Sequence, residues 1–132
     1  NGVPGPTHLL ELADDISLTA QQRSEIEAIR AQMQADAISA GERFVAAEQA
    51  LDLAFQHGAP DAAPLERLVQ EAGDARAALR LFHLSAHLLT LPLLTEDQVR
   101  QYSILRGYSA DPCASVPQGH DPAMWRKHNG CD

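Results

Sequence analysis

The sequence predicts an all-α protein: one long antiparallel helical hairpin with short helices at its ends, four helices per protomer. Three observations carry that expectation. Apolar residues recur at steps of three and four through two long stretches, which is helical periodicity. No segment alternates apolar and polar residues as a half-buried strand does. The pattern Leu-Thr-x-x-Gln occurs twice, as Leu18 to Gln22 and Leu94 to Gln98, and each copy opens an apolar-periodic segment. A Thr at the N-cap accepts from the backbone N–H three residues on, while the Gln there reaches back to the Thr N–H. Two orphan donors are thereby satisfied, so each copy is a helix-start signal.

Taken in order, Asn1 to Pro6 form a Gly/Pro arm. Thr7 then caps a short helix that carries Leu9, Leu12, Ala13 and Ile16 on one face, with Glu11, Asp14 and Asp15 facing no local base. From Thr19 the apolar positions run Ile26, Ile29, Met33, Ala37, Ala40, Phe44, Ala47, Leu51 and Ala54 toward Gly58. This predicts a helix of nearly forty residues, roughly 55 Å long at about 1.5 Å per residue. His57 falls where an imidazolium suits a helix C-terminus. Gly58-Ala59-Pro60-Asp61 reverses the chain, and Pro64 fits an early helical position.

The return helix reads Leu65, Leu68, Ala72, Ala75, Leu79, Phe82, Ala86 and Leu89 until Pro92 stops it. A last helix begins at Thr95, carries Val99, Tyr102 and Leu105, and ends at Gly107, with Leu94 able to staple onto Val99. Residues 108–132 hold three prolines, both cysteines and the one Trp, and are read as a loop-rich tail with one helical turn around Trp125. The chain thus divides into a helical domain, residues 1–107, and a tail, residues 108–132. A hairpin this long and thin leaves an apolar stripe uncovered, which predicts a homodimer packed through the neighbourhood of Ile26, Met33, Ala40, Leu79 and Phe82.

Composition narrows the function classes. The formal charge is −8 and Lys127 is the one lysine, which argues against nucleic acid as a partner. No apolar run approaches the roughly 20 residues of a membrane span. There is no nucleophile with a base in a recognisable motif and no Gly-rich phosphate loop, so an enzyme is not expected. The chain begins at Asn1 without Met, as an exported protein does once its signal peptide is removed. Two cysteines in one irregular segment form a disulfide only in such an oxidising compartment.

With both Leu-Thr-x-x-Gln boxes, the short leading helix, the hairpin between the boxes and the Arg106-Gly107-Tyr108 ending, the chain resembles the periplasmic Spy/CpxP/ZraP family of stress proteins. It is similar also to the related periplasmic nickel and cobalt sensors of heavy-metal resistance. The resemblance covers Thr7 to Tyr108. It implies a periplasmic, all-helical protein with a hooked or curved hairpin that forms a homodimer. It also implies one of three functions: metal sensing coupled to a membrane-bound signalling regulator, metal buffering, or ATP-independent chaperoning of unfolded clients.

His83 and His87, four apart on the return helix, share one face and can converge on one transition metal. The same spacing also arises in packed or solvated histidines. The resemblance adds weight to the metal reading, because the sensors carry a His and a Met four apart at the matching place; His87 stands for the Met, which favours Zn, Ni or Cu(II) over Cu(I). The sensors complete their site with two histidines on the leading helix and a carboxylate on the long helix. His8 matches the first, whereas Leu12 and Arg30 stand at the other two positions. Asp36, Glu11, Glu25 and Glu27 are the substitutes, with Asp36 brought opposite the pair by folding at about residue 60.

The tail offers a second candidate, His120, Met124, His128 and Cys131, which would share a stripe if helical and suit copper. The competing and preferred reading is a disulfide between Cys113 and Cys131. The leading expectation is therefore a periplasmic metal-responsive dimer binding Zn, Ni, Co or Cu through His83, His87, His8 and Asp36. A Spy-like chaperone and an interaction module for a membrane-bound regulator are the alternatives.

Overall fold

The computed structural model describes residues 2–131, and among them every regular element is helical. The helices are α1 (Pro6–Glu11), α2 (Ala20–Gln56), α3 (Ala62–Thr90), α4 (Glu96–Leu105) and α5 (Pro122–Asn129). A 3-10 turn, Leu91–Leu93, joins α3 to α4 around Pro92.

Two elements differ from the sequence expectation. α1 starts at Pro6 with Gly5 as its N-cap, so Thr7 lies inside the helix instead of capping it. Proline has the backbone angle of a first helical residue and lacks only an N–H that has no partner there. In the tail, the single turn around Trp125 is an eight-residue helix, which makes five helices instead of four. Its ends are well punctuated: the Asp121 carboxylate accepts from the Met124 N–H at 2.9 Å, Pro122 follows the cap, and Gly130 closes the helix at φ +65.

After α1 the chain turns back through residues 12–17, closed by the Leu18 N–H to Ala13 carbonyl bond at 2.8 Å. Ser17 is left-handed there, at φ +52. This reversal lays the base of α2 beside the arm helix. Arg23 consequently pairs with Asp14, and His8 pairs with Glu11 at 2.9 Å, so two of the three arm acids do have basic partners.

α2 and α3 are the two long helices, and they pack against each other along their lengths. The connection between them, residues 57–61, contains Gly58 at φ +120, and the His57 ring caps the preceding turn at the Leu53 carbonyl, 2.7 Å away. Facing residues run in opposite senses: Met33 and Asp36 lie across from Phe82 and Leu89, whereas Ala47 and Ala50 lie across from Ala75 and Ala78. Small side chains let the helices approach, and Ala40, Ala72 and Ala86 are buried along the seam.

The core is concentrated at one end. Leu9, Ala13, Ile16, Leu18, Ile26 and Tyr102 form one buried cluster, with Leu10, Leu12, Leu93 and Leu94 packed on it. Ile26 and Ala40 are fully buried inside the chain, so those two leave the surface that the sequence assigns to a second copy. Apolar residues that stay exposed lie elsewhere on the long helices and include Ile38, Val45, Leu81 and Leu88.

What closes this end is the meeting of the two Leu-Thr-x-x-Gln boxes. Each box is formed: the Thr19 hydroxyl accepts from Gln22 N–H at 3.1 Å and the Gln22 carbonyl oxygen accepts from Thr19 N–H at 2.9 Å. Thr95 and Gln98 do the same at 3.2 and 3.0 Å. The two glutamine amides then bond to each other, Gln22 Nε2 to Gln98 Oε1 at 2.8 Å and Gln98 Nε2 to Gln22 Oε1 at 3.0 Å. Their remaining N–H groups cross over, Gln22 to the Leu93 carbonyl at 2.7 Å and Gln98 to the Ser17 carbonyl at 3.3 Å. Each amide therefore uses both of its donors and both acceptor sites.

Replacing Gln98 by Ala strands the half-buried Gln22 amide and opens the Thr95 cap, and should destabilise the fold by about 1–3 kcal/mol. Urea denaturation of Gln22→Ala, Gln98→Ala and the double variant checks this. The double variant should lose clearly less than the sum of the singles, because both singles break the same mutual bonds; strict additivity would contradict the clasp.

Candidate functional site

The site grows from the last two turns of α3, against which the N-terminal arm is laid. His83 and His87 occupy successive turns, with ring centroids 5.3 Å apart and planes at 66°. His83 is exposed and His87 half-buried. The His87 Nδ1 lies 2.8 Å from the Val3 carbonyl oxygen. A carbonyl only accepts, so Nδ1 carries the proton and Nε2 of the neutral ring keeps its lone pair.

The same arm is held at two further points. The fully buried Thr90 hydroxyl donates to the Pro4 carbonyl at 2.6 Å. Gly5 lies on the face of the His87 imidazole: a Cβ there would stand 2.6, 2.8 and 3.1 Å from Cε1, Nε2 and Nδ1. Gly5 sits at φ −102 and ψ 157, a backbone conformation open to any residue, so the ring and not the backbone requires glycine. On the α4 side, Tyr102 is buried and Tyr108 stacks on it with centroids 6.5 Å apart.

The other sequence-nominated ligands are placed elsewhere. His8 Nδ1 is bound to Glu11, and Arg106 Nη2 lies 3.4 Å from its Nε2. The His8 hydrogen bond holds the Glu11 carboxyl below its usual range, reinforced by the charges of His8, Arg106 and Arg30. Both nitrogens of His8 are thus engaged, one by the Glu11 carboxylate and the other by the Arg106 guanidinium. Asp36 is on the wall of an apolar groove between α2 and α3, of about 310 Å³, with Ile29, Met33, Phe82 and Leu89, and accepts from Gln32 at 3.0 Å. Among the described residues no three of His, Cys, Asp and Glu come together as a metal-holding group. The pair His83 and His87 is what remains of the first set, and it supplies two donors without a third from His8 or Asp36.

In the tail, Cys113 and Cys131 are joined in a disulfide with Cα atoms 5.4 Å apart. Cys131 is thus not available as a thiolate beside His120 and His128. The His120 ring instead packs edge-on against Trp125, centroids 4.8 Å apart, and Met124 points to solvent, 74% exposed. The Trp125 indole N–H donates to the Pro112 carbonyl at 2.9 Å, which ties α5 to the start of the disulfide loop.

Sequence reasoning missed Val3, Gly5 and Thr90. A signal existed for two of them. Gly5 stands between Pro4 and Pro6, the smallest residue in a stiff extended arm, and Thr90 is a polar residue closing the apolar run of α3, three positions after His87. The Val3 carbonyl has no side-chain signature at all.

Comparison with protein-family models, curated proteins and solved structures returned no match.

This geometry bears on the pH dependence of stability and on the tail. Burial raises the Tyr102 phenol above its ordinary 10.0, against a weaker downward pull from Arg106 and Gly5. The folded state thus holds this proton more tightly than the unfolded chain, and that stabilisation is present below pH 10.0 and lost as pH rises through the folded value. The melting temperature of the wild type should fall above about pH 10 more steeply than that of Tyr102→Phe. Separately, denatured, unreduced protein should titrate with no free thiol. Reduction should red-shift Trp125 fluorescence while the helical circular dichroism of α2 and α3 persists, because α5 has no substantial helix partner.

Proposed function

We propose that the protein is a periplasmic metal-responsive protein whose His83 and His87 take a divalent transition metal, Zn, Ni, Co or Cu, for sensing or buffering under heavy-metal or envelope stress. The observation that carries this reading is the His87 Nδ1 to Val3 carbonyl bond. Metal-ligating histidines characteristically donate their second ring N–H to a carbonyl or carboxylate, which fixes the tautomer and aims the other nitrogen. His87 is arranged in that way, and His83 stands one turn off with its ring exposed and free to turn toward the same ion. The two imidazoles fit the bidentate half of a four-coordinate shell, and water or a group from a second copy completes it.

The resemblance carried by the two boxes, the oxidising compartment implied by the Cys113–Cys131 bond and the absence of a long apolar helix among the described residues support the periplasmic setting. The dimer belongs to the same reading: two hooked, curved hairpins pair so that the second copy covers exposed Ile38, Val45, Leu81 and Leu88. A membrane-bound regulator then reads the metal-loaded state. Those exposed apolar residues favour a second reading, a Spy-like chaperone that cradles unfolded clients. The charge of −8 weighs against it, because chaperones of that kind present a basic cradle.

Calorimetric titration of ZnCl2, NiCl2 and CuCl2 into wild type and His83→Ala tests the metal reading. The variant should bind at least about tenfold more weakly, since one donor of a helical pair does not retain the ion alone. Equal affinity in both would remove the pair. Suppression of client aggregation without metal, unchanged in His83→Ala, would select the chaperone.

A further inference from the structure

The ring that the metal reading needs is also the peg that holds the N-terminal arm. Val3 accepts from its Nδ1, Gly5 covers its face, and one turn on Thr90 grips the Pro4 carbonyl. We propose that the arm segment Val3 to Gly5 is the regulatory element of the His83/His87 site: a docked arm raises its metal affinity, and bound metal in turn locks the arm down. This rests on the metal reading above and adds its mechanism of control.

Three physical steps support it. A free neutral imidazole exchanges between two tautomers and turns about its side-chain bonds. The docked arm admits only the form with a proton on Nδ1, because the Val3 carbonyl oxygen cannot donate, so the ligand nitrogen Nε2 is chosen before the ion arrives. The Gly5 backbone on the ring face and the Val3 carbonyl at its edge also fix the ring plane, which removes rotational freedom that an unsupported ligand loses on binding. Finally, a cation on Nε2 draws electron density from the ring and makes the Nδ1–H a stronger donor to Val3. The two events therefore favour each other, and by linkage the factor is the same in both directions.

Thr90 makes the idea testable without touching either ring nitrogen, and Gly5 tests the seat of the ring directly. Thr90→Val removes the hydroxyl that holds Pro4 while keeping the shape of the side chain, and Thr90→Ser restores the hydroxyl. Gly5→Ala puts a Cβ 2.6 Å from the His87 ring, which must swing away, since the Ala backbone itself is unstrained there. Zinc chloride is titrated calorimetrically into the full chain of each variant. Long-range proton–nitrogen spectra report the His87 tautomer, and amide exchange reports the arm.

The expected result is that Thr90→Val and Gly5→Ala bind zinc about tenfold or more weakly and lose the single His87 tautomer, while Thr90→Ser stays near wild type. In the wild type, saturating zinc should slow amide exchange at the arm residues severalfold. If wild type binds zinc and both arm variants bind it equally well, the linkage is overturned and the metal site stands. If wild type binds no zinc, both are overturned. The zinc dependence of arm exchange needs no variant, so unchanged exchange at saturating zinc overturns the proposal even where a substituted chain fails to fold.

Discussion

The mutual amide pair of Gln22 and Gln98 is the constraint on which the rest of the molecule depends. Each glutamine caps its own helix and binds its counterpart, and each spends its last N–H on a carbonyl of the other segment, Leu93 or Ser17. The two helix starts are thus locked face to face with no polar group left over. Saturation matters because Gln98 is buried, where an unmet donor or acceptor costs more than the bond itself returns. Through this clasp the beginnings of α2 and α4 are held beside α1, and the main buried apolar cluster among the described residues forms there.

Concentrating the core at one end leaves the rest of α2 and α3 as two packed helices joined along an alanine seam. Small residues bring the backbones close but bury little area per contact, so that part relies on helix propensity, and Ile38 and Val45 stay exposed on α2. The tail solves its own stability problem differently. It has too little apolar surface for a core, and a disulfide, an indole hydrogen bond and a capped helix hold it together.

Electrostatics separates the histidines into distinct roles. His8 lies between Glu11 and Arg106, in a chain that leaves both of its nitrogens engaged. His120 is an edge partner of Trp125. His87 alone combines a backbone acceptor on one nitrogen with a neighbouring imidazole four residues away, and it does so because the arm passes over the end of α3. Tyr102 takes no part in that seat that its burial in the core cluster does not already explain.

Helical class, the extents of α2 and α3 and both capping boxes were legible in the sequence, because they depend on contacts within about four residues along the chain: periodicity, Thr-to-Gln reach, and Gly and Pro punctuation. The five-helix count was not, since the length of α5 depends on Asp121 and Gly130 acting together at its two ends. The His83 and His87 pair was legible for the same local reason, being one turn of one helix. What the tertiary structure alone decided is which groups meet across the fold: Gln22 with Gln98, His87 with Val3, Arg106 with His8, and neither His8 nor Asp36 with the pair. Those meetings depend on the angle at which the arm crosses α3 and on the register of α2 against α3. The arm is held on α3 by its bonds to His87 and Thr90, and the two long helices meet at buried Ala40, Ala72 and Ala86, contacts in three dimensions that no residue spacing encodes.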